Sequence, residues 1–271
     1  MISKTAMITI CGRPNVGKST LTNALAGEKI AIVSNKPQTT RNRITAVCQR
    51  GETQFVFLDT PGFHKPRTRL GDYMVNVVRQ SVADVDAVVL VVEPVASLGP
   101  QERELIASIK AANCPAVLAI NKLDTVEPEK LLAVIALYSE AYAFNAIVPI
   151  SAKTGDGVDI LLSELMAFSK PSPHYFADDD ITDQPEKVMV AEMIREKLLR
   201  MLDKEVPHGI AINLERFVER DTAEGEPILD VEATVICEKE SHKGIIIGKG
   251  GATLKKAGMS ARRDIEEFFG I

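Results

Sequence analysis

The feature that most constrains this 271-residue chain is an eight-residue stretch, GRPNVGKS, which runs from Gly12 to Ser19. An apolar segment at 7–11 precedes it, and apolar residues at roughly helical spacing follow it. The sequence therefore predicts a strand, a glycine-containing loop and a helix. This is the context in which G-x-x-x-x-G-K-S forms a phosphate-binding P-loop rather than an ordinary turn before a helix.

Each residue type in this loop meets a requirement of phosphate binding. Gly12 and Gly17 allow turns that aim backbone N–H groups at phosphate oxygens, and the N-terminus of the next helix adds the positive end of its dipole. Lys18 would contact the β- and γ-phosphates, and the hydroxyl of Ser19 would bind Mg²⁺. We therefore expect a nucleoside triphosphate with Mg²⁺.

A second motif, Asp59-Thr60-Pro61-Gly62, directly follows a strand predicted at 54–58, which is apolar from Phe55 onward. Open α/β sheets hold their ligands at the carboxyl ends of the strands, so Asp59 is expected to reach Mg²⁺ directly or through a water molecule. The N–H of Gly62 would bind a γ-phosphate and form a hinge that hydrolysis releases. Alone, the motif is equally typical of a plain turn, but its place forty residues after the P-loop favours the switch.

A third motif, Asn121-Lys122-Leu123-Asp124, indicates which base is bound. The Asp124 carboxylate can accept two hydrogen bonds from guanine, whereas adenine lacks that pair of donors and would leave the carboxylate unpaired. Lys122 would lie along the base, and Asn121 would tie neighbouring loops together. The tripeptide Ser151-Ala152-Lys153 follows another strand and would offer backbone N–H groups to the guanine oxygen.

Composition places the chain among globular proteins, since 45% of residues are apolar and 25% are charged. The net charge of −5 conceals a basic segment at 238–263, which holds seven Lys or Arg and two Glu. Four widely spaced cysteines without a C-x-x-C pair predict free thiols in a reducing compartment. With neither a signal-peptide pattern nor a long apolar run, we expect a cytoplasmic protein.

Prolines and an acidic run at 170–180 indicate a domain boundary, after which the pattern changes. A helical stripe from residue 185 and alternating apolar residues at 210–214 and 229–237 predict a helix and two strands. A G-x-x-G loop then precedes a helix predicted at 252–269. Such a loop is weak evidence alone, but within the basic segment it indicates RNA binding. The residues expected to bind RNA are Lys243, Ile247, Gly248, Lys249, Gly250, Gly251, Lys255 and Lys256.

Taken together, the elements at 5–170 resemble the GTPase superfamily. The sequences PNVGKS, Gln38-Thr39-Thr40-Arg41 and DTPG are similar to those of its Era and TrmE branch. The resemblance implies that a threonine at 38–42, Thr40 in preference to Thr39, closes on Mg²⁺ in the GTP state, and that Asn15 binds K⁺. The residue after Gly62 is Phe63, where Ras-like enzymes carry the glutamine that orients water, so we expect slow hydrolysis accelerated by a partner or a cation.

The site residues implied so far fall into overlapping groups. Those expected to act in hydrolysis are Lys18, Thr40, Asp59 and Gly62, with Ser19, Thr40 and Asp59 on the metal. Those expected to contact the nucleotide are Gly12, Arg13, Pro14, Asn15, Val16, Gly17, Lys18, Ser19, Thr20, Asp59, Thr60, Pro61, Gly62, Phe63, Asn121, Lys122, Leu123, Asp124, Ser151, Ala152 and Lys153.

The C-terminal half resembles a type II KH domain, and its runs DQPE, IREKL and EVPH are similar to those of the Era family. The expected fold is a doubly wound α/β P-loop GTPase domain at 1–172, a linker at 173–186, and a smaller α+β type II KH domain at 187–271. Type II KH domains finish with another strand, which this sequence does not show after Phe269.

The same resemblance implies a function. The KH groove would take the single-stranded 3′ end of 16S rRNA, and GTP and GDP would govern a role in assembly of the 30S subunit. It also implies a monomer with peripheral contact at the inner membrane, for which the basic segment is the only sequence support. The alternatives are a passive RNA-binding adaptor with a structural nucleotide site and a TrmE-type tRNA-modification GTPase. The sequence lacks the folate-binding and helical domains that flank the latter.

Overall fold

The computed structural model describes residues 3–34, 36, 39–41, 43–62, 85–203 and 206–271. Contacts divide the chain into two compact units, Met1–Ala31 with Thr40–Asp183, and Ile32–Thr39 with Gln184–Ile271. Of the residues expected to act in the switches, Gln38, Asn42 and Phe63 lie outside the described residues.

Within the described residues, the first unit is built on a seven-stranded sheet. Its strands are β1 (Lys4–Cys11), β2 (Ile44–Arg50), β3 (Thr53–Asp59), β4 (Ala87–Val92), β5 (Ala116–Ile120), β6 (Ala146–Pro149) and β7 (Lys170–Pro171). Its described helices are α1 (Lys18–Ala26), α2 (Pro100–Ala112), α3 (Pro128–Ala141) and α4 (Val158–Leu165).

The strand order is β2-β3-β1-β4-β5-β6, with β7 pairing at the start of β1. Strands β3, β1, β4, β5 and β6 run parallel, whereas β2 forms an antiparallel pair with β3. Every residue of β3, β4 and β5 is buried, as expected for a parallel sheet covered on both faces. This arrangement confirms the expected α/β fold.

The topology places the predicted motifs at one edge of the sheet. Strand β1 lies between β3 and β4 in the sheet. Strands β2 and β3 were added on one side of β1 and the later strands β4, β5 and β6 on the other, so the loop after β1 lies at a topological switch point. Asp59 ends β3, Glu93 follows β4, and Asn121 follows β5. Because parallel strands share one carboxyl edge, these side chains meet the P-loop there.

Much of the segment that we predicted as a linker at 173–186 is hydrogen-bonded within the first unit. The fully buried amide of Gln54 accepts the N–H groups of Tyr175 (2.8 Å) and Phe176 (3.1 Å). Thr182 donates its hydroxyl to the carbonyl of Thr45 (2.7 Å). A buried side-chain amide requires such partners, and the first unit accordingly extends to Asp183.

The second unit packs helices on a two-stranded antiparallel sheet. Its elements are α5 (Glu186–Met201), β8 (Ile210–Asp221), β9 (Pro227–Cys237), α6 (Glu240–Ile247) and α7 (Ala252–Phe269). Leu198, Ile210, Ile246 and Ala257 are among its core residues. We did not predict α6, because Gly244 and the isoleucine run at 245–247 obscure its periodicity. Of the helices in the described ranges, none is long and apolar enough to cross a membrane.

Candidate nucleotide site and RNA interface

The P-loop is shaped by close backbone approaches that only glycine permits. Gly17 has φ +97°, and a Cβ atom there would lie 2.2 Å from Nδ2 of Asn121. A Cβ atom on Gly12 would lie 2.4 Å from the carbonyl oxygen of Val91. Lys18, which is 6% exposed, donates a hydrogen bond to the carbonyl of Arg13 (2.8 Å). The loop therefore has the turns that converging N–H groups require.

Three oxygen-bearing side chains meet beside this loop. The Ser19 hydroxyl donates to Oδ2 of Asp59 (2.9 Å) and lies 2.8 Å from the hydroxyl of Thr40. The other carboxylate oxygen of Asp59 is buried and has no hydrogen-bond partner in the described part of the chain. Hydroxyl and carboxylate oxygens are the ligands that Mg²⁺ prefers, and an unpaired buried oxygen gives it a vacant donor, so this set fits the ion.

Burial dominates the electrostatics of the site. It raises the pKa of Asp59 from 3.8 to about 6, although the nearby Lys18 ammonium and the hydrogen bond from Ser19 act in the opposite direction. It also lowers the pKa of Lys18, against the attraction of Asp59. Burial thus disfavours the charged forms of both Lys18 and Asp59. A bound phosphate would stabilise the Lys18 ammonium, and a divalent cation would stabilise the Asp59 carboxylate.

The structure distinguishes the two threonines that the sequence left open. Thr40 is buried, with its hydroxyl at the Ser19 and Asp59 cluster. The Thr39 hydroxyl instead donates to the carbonyl of Lys36 (2.6 Å), and the Thr39 carbonyl accepts from Arg195. Only the Thr40 hydroxyl is therefore near the predicted metal ligands.

Gly62 lies against the P-loop. A Cβ atom there would lie 2.8 Å from Cα of Pro14, so the two backbones are in close contact. The preceding Thr60 is fully buried and donates its hydroxyl to the carbonyl of Ile10 (2.8 Å). The DTPG motif is thus fixed to the end of β1 beside the phosphate loop.

Asn121 joins three of the predicted motifs. Its Nδ2 donates to the carbonyl of Val16 in the P-loop (2.8 Å), and its Oδ1 accepts the N–H of Ala152 (2.9 Å). The Ser151 hydroxyl donates to the carboxylate of Asp124 (2.7 Å), a positioning contact that sequence reasoning missed. Leu123 and Asp124 lie in a short 3₁₀ turn that the left-handed Lys122 begins, and Lys153 is exposed.

Two further carboxylates at this edge were also missed. Glu93 pairs with both Arg13 and Lys122, and Glu102 pairs with Arg13. The signal that could have found Glu93 is its position, because it directly follows an apolar strand, as Asp59 and Asn121 do.

The predicted RNA residues lie around the loop between α6 and α7. Gly248, Gly250 and Gly251 all have positive φ, and a Cβ atom on Gly248 would lie 2.2 Å from the Thr253 hydroxyl. The four lysines expected to contact RNA, Lys243, Lys249, Lys255 and Lys256, are all exposed. A cavity of about 810 Å³ opens beside the loop, and its lining includes Ile247, Leu254 and the apolar face of β9. The predicted interface thus combines a glycine-rich backbone without side chains, exposed lysines and an apolar recess.

Comparison with known proteins agrees with this geometry. Residues 7–122 match a family described as 50S ribosome-binding GTPase, and residues 205–271 match the KH domain family. GTPase Era of Alkaliphilus metalliredigens is 49% identical over 270 residues, which cover 100% of this chain and 90% of that protein. GTPase Era of Ruminiclostridium cellulolyticum is 48% identical and covers 98% of this chain and 88% of that protein. The chain belongs to the Era family of GTPases.

Solved Era structures extend the likeness to three dimensions. Era in complex with MgGDPNP and nucleotides 1506–1542 of 16S ribosomal RNA has a TM-score of 0.93 and 34% identity, covering 99% of this chain and 90% of that one. An Aquifex aeolicus Era variant bound to GDP·AlF₄⁻ has a TM-score of 0.92, also at 34% identity, covering 98% and 90%. The predicted resemblance to Era is confirmed, as are the GTPase activity and the KH fold of the C-terminal half.

Proposed function

We propose that this GTPase binds the 3′ end of 16S rRNA through its KH domain, under control of its bound nucleotide, during assembly of the 30S subunit. The observation that carries the proposal is the presence in one chain of a phosphate site with guanine-reading residues and a glycine-lysine loop beside an apolar recess. A relative of the same fold, 34% identical, has been solved with both ligand classes in one complex.

In the nucleotide site, we assign roles by geometry. The converging N–H groups of the P-loop and Lys18 would hold the phosphates, and Gly62 would close on the γ-phosphate from its contact with Pro14. The oxygens of Ser19, Thr40 and Asp59 would hold Mg²⁺. When bound, the ion supplies positive charge against the phosphate oxygens.

On the base side, Asp124 would accept the two guanine donors. The Ser151 hydroxyl fixes one of its oxygens, so the carboxylate is oriented before the base arrives. Asn121 would fix the position of the base-reading loops relative to the P-loop, since its side chain is hydrogen-bonded to both Val16 and Ala152.

We also propose that K⁺ bound at Asn15 accelerates hydrolysis. The support is the position of Asn15 in the P-loop, where its φ of +65° is unusual for a residue other than glycine, and the absence of glutamine after Gly62 in the sequence. GTP turnover measured in matched K⁺ and Na⁺ buffers tests this, and equal rates would remove the idea.

We infer a route for a nucleotide-dependent signal through Thr39 and Val33. Thr40 belongs to the metal cluster, and its covalent neighbour Thr39 is held by Arg195 of α5. The next residue of α5, Glu196, is fully buried and accepts the N–H of Val33 (2.8 Å). A shift of Thr40 on hydrolysis would therefore displace the neighbouring backbone, which α5 contacts at Thr39 and at Val33.

The same helix reaches the RNA-binding half of its own unit. Lys197 is 5% exposed and pairs with Asp264 of α7, the helix that begins directly after the glycine-lysine loop. Buried ion pairs hold a defined geometry because breaking one leaves a buried charge without compensation. We propose that this row of buried charges carries the nucleotide state from segment 32–39 to α7.

The decisive experiment measures the Kd of a single-stranded 16S 3′-end oligonucleotide with GDP and with a non-hydrolysable GTP analogue. We expect tighter binding with the analogue, and a smaller difference in Arg195→Gln than in the control Arg216→Gln, an exposed arginine of β8. Equal affinities in wild type would refute the coupling. Phosphate release with and without RNA completes the test, since a protein that hardly turns over in either would be a passive adaptor.

A further inference from the structure

We propose that Glu93 is a positioning residue for nucleotide binding, which holds Lys122 of the base-reading loop and Arg13 of the phosphate loop through one carboxylate. Lys122 Nζ lies 2.5 Å from Oε1 of Glu93, and Arg13 Nη2 lies 3.4 Å from its Oε2. Each oxygen thus serves a cation from a different motif. Glu93 itself is fixed by its place directly after the buried strand β4.

Both of its partners require such support. Lys122 has φ +67°, a left-handed conformation that is uncommon for residues other than glycine, and it begins the turn that carries Asp124. Its side chain has about a third of its surface exposed, so packing alone does not fix it. The ion pair with Glu93 selects the orientation in which the aliphatic stem can lie along the base.

Arg13 is clamped from a second side. Its Nε pairs with Oε1 of Glu102, a side chain only 3% exposed in the first turn of α2. The carbonyl of the same Arg13 accepts the hydrogen bond from Lys18. Clamping the Arg13 side chain therefore steadies the backbone group that orients the phosphate-binding lysine.

The sign of the effect is not obvious from charge alone. A carboxylate near a triphosphate repels it, and removing that charge by itself would tighten binding. Here two carboxylates face two cations, so the cluster as a whole adds little net repulsion. We infer that positioning outweighs repulsion, and that loss of the Glu93 charge weakens nucleotide binding.

The test compares Glu93→Gln with the matched control Glu129→Gln, an exposed glutamate in the first turn of α3. Dissociation of a fluorescent GDP, the GTP KM and kcat are measured for both. Because hydrogen bonds to charged groups are the stronger ones, we expect Glu93→Gln to raise Kd and KM about tenfold with kcat within about twofold of wild type. An unchanged or tighter Kd, or a loss confined to kcat, would overturn the proposal.

A double-mutant cycle separates positioning from a general loss of structure. In a Lys122→Gln background, Glu93→Gln should weaken GDP binding by much less than in wild type, because its main partner is already gone. Glu102→Gln should weaken binding independently of Lys122, since its ion pair in the described part of the chain is with Arg13. Full additivity of Glu93→Gln and Lys122→Gln would show that Glu93 does not act through Lys122. Thermal melting of each variant confirms that it is folded.

Discussion

The nucleotide site and the proposed RNA interface of this protein are built in opposite ways. In the nucleotide site, Lys18, Asp59 and Asn121 are at most 6% exposed, and each is hydrogen-bonded to a residue of the P-loop. At the proposed RNA interface, the lysines are exposed and the loop is mostly glycine with positive φ. The first arrangement is set before its ligand arrives, whereas the second offers charge and access.

The difference matches what each ligand demands. Guanine must be told from adenine. The Asp124 carboxylate is exposed and oriented by Ser151, so a bound base would cover it, and the wrong base would leave it without its two donors. RNA backbone is the same for every sequence, so exposed cations supply affinity while selectivity has to come from bases entering a recess. Substitutions in each of the two regions test this contrast.

The largest effect is expected at the base-reading carboxylate. Asp124→Asn replaces one of the two acceptor oxygens by an NH₂ donor. This donor would then oppose one of the two guanine donors, so the affinity for GTP should fall by about 10³-fold. Xanthosine triphosphate, which carries a carbonyl where guanine has its amine, should regain most of the lost affinity. Isothermal calorimetry measures both, with Asp179→Asn as an exposed control. If Asp124→Asn lowers the affinity for both nucleotides by the same factor, the carboxylate does not discriminate between bases.

The second prediction concerns the cost of burying Asp59. Because its pKa is about 6 in the folded state against an ordinary 3.8, the folded protein binds this proton more tightly than the unfolded chain does. Without Mg²⁺ and nucleotide, its contribution to the free energy of unfolding should therefore grow by about 3 kcal/mol as the pH falls from above 6 to below 4.

Urea unfolding of wild type and Asp59→Asn, from about pH 4 to pH 8, isolates that contribution as the difference between the two proteins. The free energy of unfolding of Asp59→Asn should increase relative to that of wild type as the pH rises from about 4 to about 6, and the difference should then level off. The reason is that the carboxylate loses its proton more readily in the unfolded chain than in the buried site. Saturating Mg²⁺ with GDP should shrink this difference. A difference that is independent of pH would show that burial does not govern the ionisation of Asp59.

The third prediction separates the two neighbouring threonines. Thr40→Ala removes a hydroxyl from the metal cluster, so the Mg²⁺ concentration needed for half-maximal GTP hydrolysis should rise about tenfold. Thr39→Ala should change it much less, since that hydroxyl donates to the Lys36 carbonyl. If the two substitutions have equal effects, or the larger effect falls on Thr39, the placement of the threonines is wrong.

Sequence reasoning located the nucleotide motifs because they depend on local rules. The backbone of Gly17 has a positive φ that favours glycine, and Asp59 lies at the end of the strand that positions it. Each could therefore be predicted without knowing its contacts in the folded protein. The contacts that orient these groups are long-range. Ser151 meets Asp124, and Glu93 meets Arg13, only after the sheet has brought separate strand ends together, and a single sequence carries no record of that distance.

The second unit shows the same limit at the level of fold. Helix α7 was predicted at 252–269, where the structure has it, because its apolar and charged residues repeat at helical spacing. Helix α6 was missed, since its glycine and its three isoleucines fit no single period. The buried charges of α5 were unexpected for a related reason. Arg195, Glu196 and Lys197 read as solvated charges in the sequence. In the structure they are buried, and they contact Thr39, Val33 and Asp264 respectively.

The smallest effect is expected at the RNA interface, where charge is shared among several exposed lysines. Lys249→Ala should weaken binding of a single-stranded RNA only severalfold at moderate salt, and nearly equally for different sequences. The slope of log Kd against log salt should fall by about 0.7, the value for one contact to a single strand. Fluorescence anisotropy at several salt concentrations measures the slope, with Lys110→Ala on α2 as the control. If the loss of affinity depends on the RNA sequence while the slope is unchanged, Lys249 contacts bases rather than phosphates. The RNA interface would then select its ligand by specific contacts, as the nucleotide site does, and the proposed contrast between the two sites would be wrong.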